Sequence, residues 1–219
     1  GSVIRAMSGE QDMRKMGGIY KKIPFTYAMM WIGSLALSGL PFFAGFYSKN
    51  IILQSAYAAH STFGYLAFWL GIATTLITAF YSWRLLIMTF HGPPRASNEV
   101  MSHALESPLI MTMPLFILAI GAVLSGWLGY NIFVGSDMDV FWGASLLVLE
   151  HHNTVEAAHH VPLWVKLTPV VVGVVGIALA YVIYMLRPDS AGRIASAVQP
   201  VYSFLFNKWY FDELYDWLF

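Results

Sequence analysis

The chain has 219 residues, is 58% hydrophobic and only 11% charged, and its formal charges cancel to zero. A soluble domain carries about a quarter charged residues, so an ordinary water-soluble domain is excluded, and a neutral balance gives nucleic acid no electrostatic footing. No cysteine is present, which excludes disulfides, iron–sulfur ligation and a thiolate nucleophile.

The chain opens on Gly1-Ser2-Val3-Ile4, which reads as the last turns of a span already under way, and stops at Tyr215–Phe219 inside an amphipathic stretch. The 219 residues are therefore expected to be one region of a longer subunit. A polar loop, 8–22, follows the opening. From Ile23 to Trp83 sixty-one residues then run with a single Lys, Arg, Asp or Glu, and that residue is Lys49. Apolar runs of about 20 residues match the ~30 Å hydrocarbon core of a bilayer, and strict alternation, the mark of a membrane barrel, is missing. The expectation is an all-α, polytopic transmembrane bundle.

The first apolar region, about 23–59, is too long for one straight span and contains Gly39-Leu40-Pro41 and Gly45. A proline inside a helix removes a backbone donor and clashes with the preceding turn. Two segments, about 24–39 and 46–59, are expected, joined by an unwound piece. Further spans are read at about 63–90, 108–130 and 162–186, the second ended by His91-Gly92-Pro93-Pro94. The loop 131–161 should hold a short surface helix, 141–149, and the tail 187–219 should be an amphipathic lead-in to a further element lying along the membrane. Lys and Arg are frequent in 8–22, present in 91–107 and in the tail, and missing from 59–63 and 131–161. If 23–59 crosses once, this alternation obeys the positive-inside rule and puts 8–22, 91–107 and the C-terminus in the cytoplasm.

Lys49 is the main functional clue. An ionisable residue inside a membrane costs about 2.5 kcal/mol or more and tends to mark an ion or proton pathway. Broken helices at membrane depth line cavities, and a lysine in low dielectric gives up its proton more readily than in water. The bland alternative is a lysine whose ammonium snorkels to the interface. Pro41 makes the break, while Ser48 and Asn50 flank the lysine with polar groups, as does Tyr47. Thr74, Thr75, Thr78 and Tyr81 lie close to one helical face that could support a water file, although hydroxyls in membrane helices more often bond their own backbone. Arg84 reads as an interfacial anchor or one half of an ion pair with an acid elsewhere. His151, His152, Glu156, His159 and His160 carry metal-ligand spacing, but their loop reads as irregular and exposed, and no metal is expected. Lys166 reads as an anchor, and Gly17-Gly18, Gly121 and Gly126 as turn and packing glycines.

Four segments carry a resemblance: residues 1–18 (GSVIRAMSGEQDMRKMGG), 35–49 (LALSGLPFFAGFYSK), 81–92 (YSWRLLIMTFHG) and 206–216 (FNKWYFDELYD). Together they resemble the largest antiporter-like membrane subunit of respiratory complex I, the subunit L family of NADH–quinone oxidoreductase, over essentially the whole chain. The resemblance implies the C-terminal part of an antiporter-like fold built from two inverted five-helix repeats, with residues 1–186 in the transmembrane domain. It implies that Lys49 is the broken-helix lysine of the second repeat, closing a proton half-channel on the periplasmic side. It also implies other membrane-arm subunits as partners, especially the neighbouring antiporter-like subunit. The membrane would be the bacterial inner membrane or the mitochondrial inner membrane. FMN, iron–sulfur clusters and quinone would belong to other subunits, with no redox site and no cofactor in this chain. Two departures stand out: Asn50 follows the lysine where many relatives have an acid, and Arg5 stands where relatives often have histidine. A subunit of a multisubunit cation/proton antiporter shares the fold and the lysine, and a scaffold segment without transport is the third reading.

Overall fold

The computed structural model describes residues 1–146, 148 and 153–219. Among these residues every regular element is helical. A short helix α1 (Ser2–Ala6) is followed by the polar loop, then by α2 (Pro24–Ser38) and α3 (Ala44–Ala58) on either side of the break. A long helix α4 (Thr62–Phe90), a short α5 (Asn98–His103) and α6 (Leu109–Phe133) come next. Short helices α7 (Met138–Trp142) and α8 (Thr154–His159) precede α9 (Leu163–Tyr181), which continues as a π-helical turn to Leu186. The tail forms α10 (Asp189–Ala197), α11 (Gln199–Phe206) and α12 (Phe211–Leu218).

Three of these, α4, α6 and the continuous 163–186 helix, are long and apolar enough to cross a membrane. The protein is a helical membrane bundle. At 15 residues each, α2 and α3 rise only about 22 Å apiece, short of the ~30 Å core. Their packing shows how they combine. Ile23, just before α2, and Tyr27 of α2 lie against Phe90, at the end of α4, and Trp31 meets Trp83 edge-on at 4.5 Å. Leu53 and Ala58 of α3 cluster with Phe68 and Ile72, near the start of α4. Descending α2 and then α3 thus retraces α4 from its last turn to its first, with α6 along the same pair.

The two ends of the bundle are built differently. At one end the loop 8–22 docks on the segment after α4. Gly18 N–H donates to the His91 carbonyl at 3.2 Å, and Tyr27 Oη meets His91 Nε2 at 2.6 Å. Arg95 donates to the carbonyls of Arg14, at 2.8 Å, and Met13, at 3.2 Å. Gly17, at φ +129°, has no room for a side chain, since a Cβ there would lie 2.6 Å from the Pro93 carbonyl oxygen. At the other end, His159 of α8 approaches Tyr130 Oη and the Val134 carbonyl, and Lys166 Nζ donates to the His159 carbonyl at 2.7 Å. Lys166 therefore caps the C-terminal end of α8.

Some expectations shift. Of the surface helix expected at 141–149, Leu147 and Leu149 lie outside the described residues; the described part holds the end of α7, Met138–Trp142, where Gly143 turns to φ +49°, and a 3-10 turn, Gly143–Ser145. Helix α7 is held there because Phe141 packs edge-on against Phe133 at 4.9 Å and Trp142 Nε1 donates to the Phe133 carbonyl. The expected third span ends three residues later, at Phe133. Gly126 is a packing glycine, with Ala44 Cα where its Cβ would point, but Gly121 faces open space. Of the candidate metal ligands, His151 and His152 lie outside the described residues. Among the described residues no group of three or more His, Cys, Asp or Glu is arranged to hold a metal.

Candidate functional site at the helix break

Helix α2 ends because Gly39 adopts φ +73°, a conformation that costs an L side chain about 1 kcal/mol or more and glycine almost nothing. Gly39 N–H then donates to Ala36 O and Leu40 N–H to Leu35 O, the paired closure of a Schellman cap. That closure leaves the Leu37 carbonyl without a backbone donor, at the negative end of the α2 dipole. Lys49 Nζ donates to that carbonyl at 3.0 Å. The lysine reaches it from the second turn of α3, its stem lying 3.4 Å from where a Gly39 Cβ would stand. Pro41 and Phe42, at φ +75°, carry the chain round the break.

This approach needs Gly45. A Cβ there would fall 1.9 Å from the Ala36 carbonyl oxygen, so the first turn of α3 lies directly against the last turn of α2. Lys49 is half-buried within the chain and Asn50 is buried, at 6% exposure. Ser48 is exposed and donates to the Ala44 carbonyl at 3.3 Å.

The hydroxyls of α4 satisfy themselves locally. Thr74 bonds the Leu70 carbonyl, Thr75 the Gly71 carbonyl, and Ser82 the Thr78 carbonyl. The structure does not bring Thr75 or Thr78 to Lys49 by hydrogen bonds. Arg84 sits on α4 with its guanidinium 5.5 Å from the Tyr184 ring, and its Nε is buried without a hydrogen-bond partner among the described residues. Arg5 donates to Met111 Sδ at 3.5 Å.

Sequence reasoning passed over the other end of α2. Glu106, from the loop before α6, accepts hydrogen bonds from the Phe25 and Thr26 N–H groups, at 2.9 and 3.2 Å, and from the Thr26 hydroxyl. The signal was the lack of a capping side chain at the α2 start, Ile23-Pro24, which leaves N–H groups needing an acceptor from elsewhere. An open cavity of about 650 Å³ runs along the same face of α2, from Thr26 past Ser34 to Leu37, with Ser82 and Tyr81 of α4 opposite.

A family model described as NADH:quinone oxidoreductase/Mrp antiporter, TM, matches residues 1–78, a stretch that includes the break and Lys49. NADH-ubiquinone oxidoreductase chain 5 of Marchantia polymorpha is 39% identical over 219 residues, covering 99% of this chain and 33% of that protein. The Phytophthora infestans protein of the same name is 40% identical over 98% of this chain. NADH-quinone oxidoreductase subunit L of Rhodobacter capsulatus is 36% identical, covering all of this chain and 40% of its own length. Along essentially its whole length the chain is similar to complex I membrane subunits of the antiporter-like subunit L/chain 5 type. It spans about a third of the length of the curated relatives it matches. The family model also covers Mrp antiporters, but these relatives carry complex I names, which favours the complex I reading over the cation/proton antiporter one.

Proposed function

We propose that this region forms part of a proton-translocating membrane subunit of complex I, with Lys49 as the proton-carrying group of one half-channel. The observation that carries the reading is the Lys49 ammonium on the Leu37 carbonyl, at a glycine-capped break between two half-helices. A group there exchanges a backbone carbonyl for water as its charge state changes, because a neutral amine gains less from the negative helix end than an ammonium does. Asn50 follows it, so no adjacent acid shares the proton.

Under this reading residues 23–59 count as one crossing in the inner membrane of a bacterium or mitochondrion. Pro41 shapes the break and Ser48 and Asn50 flank the lysine, while Thr75, Thr78 and Arg84 are the further polar groups of this reading on α4, not hydrogen-bonded to Lys49. Neighbouring membrane-arm subunits are the partners, above all the adjacent antiporter-like one. FMN, iron–sulfur clusters and quinone sit in other subunits, and electron transfer there drives the pump.

The test is the proton-to-electron ratio of the assembled complex in vesicles. Lys49→Ala should lower it while electron transfer to artificial acceptors stays largely intact. Lys49→Arg should not restore it fully, because arginine keeps its charge at any accessible pH, and Lys49→Glu should restore part, since a buried carboxyl titrates. Unchanged pumping in Lys49→Ala would establish a scaffold role instead. Arginine performing as well as lysine would mean a fixed positive charge.

A further inference from the structure

We infer that Glu106 is a positioning residue for Lys49, acting through the half-helix α2 that lies between them. The inference rests on the proton-carrier reading above. Three donors converge on the Glu106 carboxylate: two N–H groups from the first turn of α2 and the Thr26 hydroxyl, the latter 2% exposed. The carboxylate thereby holds the positive end of the α2 dipole, and the Lys49 ammonium holds the negative end at Leu37. One 15-residue helix is clamped between an anion and a cation that come from two other parts of the chain, the loop before α6 and the helix α3.

Each clamp supports the other for two reasons. The carboxylate anchors the start of α2, which fixes how far its last carbonyls extend toward Lys49. Its charge also strengthens the helix dipole that the ammonium meets. Without an acceptor at Phe25 and Thr26, α2 has no cap at its first turn, because Ile23 supplies no side-chain oxygen. A half-helix free to slide or fray would loosen the contact at its far end.

Glu106→Gln separates cap from charge, since an amide oxygen still accepts hydrogen bonds while the negative charge is gone. In the full subunit within the assembled complex, proton uptake per electron should fall in the same direction as in Lys49→Ala. A loss of roughly two- to tenfold in proton uptake rate is expected, the span that one charge at a helix end covers. Electron transfer to artificial acceptors should be retained. In a Lys49→Ala background Glu106→Gln should cause no further loss, because its effect passes through the lysine. Where Glu106→Gln blocks assembly, Thr26→Val takes its place; it removes one donor from the carboxylate and should lower pumping in the same direction by less. Wild-type pumping in an assembled Glu106→Gln complex, or a full additional loss on top of Lys49→Ala, would overturn the inference. Wild-type pumping in Lys49→Ala would overturn the carrier reading itself, and the Lys49→Ala single variant distinguishes the two failures.

Discussion

A glycine decides whether Lys49 can reach its carbonyl. Gly45 brings two helix backbones together, and a methyl at that position would stand 1.9 Å from the Ala36 carbonyl oxygen. Backbone cannot yield as a flexible side chain can, so the helices would have to part, and overpacking of this kind typically costs about 1–3 kcal/mol. Gly45→Ala should lower the thermal stability of the complex and reduce pumping, as Lys49 loses Leu37. Gly33 is the matched control. It lies on the same half-helix with nothing within 4 Å of an added Cβ, so alanine there should be neutral or stabilising by up to about 1 kcal/mol. Equal melting temperatures for the two variants would remove Gly45 from the account of the break.

At the scale of elements, the polar loop 8–22 holds its shape through local acids. Arg14 N–H and the Arg14 guanidinium both donate to Asp12, and they hold its carboxyl at about 2, below the ordinary 3.8. A carboxylate lowered in the folded state contributes stability above its unfolded pKa and loses it as pH falls through the folded value. The loop should therefore keep its turn at neutral pH and loosen between about pH 4 and pH 2. Amide exchange of Arg14 and Lys15, followed across that window, reads the change. Exchange that stays flat down to pH 2 would show that Asp12 does not hold the loop. Arg95 adds a second anchor by satisfying the backbone carbonyls of Arg14 and Met13, whereas the exposed Lys15–Glu10 pair contributes little.

For the whole molecule, the contacts put 8–22 and 91–95 at one end of the bundle and Val134, His159 and Lys166 at the other. With α2 and α3 aligned along α4, residues 91–107 and 131–161 should face opposite sides of the membrane. The chain has no cysteine, so single cysteines at Ser97 and Ser136 give a clean accessibility test. Ser97 should label from the cytoplasmic side and Ser136 from the other. Labelling of both from one side would mean that α6 does not cross.

Hydrophobic length and the scarcity of charge were enough to identify a helical membrane bundle, because a bilayer admits few other solutions for runs of this length. Local motifs were enough to show which subunits the chain resembles, since GEQDMRKMGG and YSWRLLIMTFHG are distinctive as strings. They also meet in space: the first packs its glycines on the segment that closes the second. Lys49 stood out by isolation alone. What it bonds to did not, because the acceptor is a backbone carbonyl exposed by the cap at Gly39, and carbonyls carry no sequence signature. Glu106 was hidden for a related reason. It caps a helix about 80 residues away in the chain, and a cap supplied from that distance leaves no local pattern, only a helix start without one of its own. The chemistry of the residues was legible one position at a time, whereas the pairing of an anion and a cation at the two ends of α2 exists only once α3, α4 and α6 have packed around it.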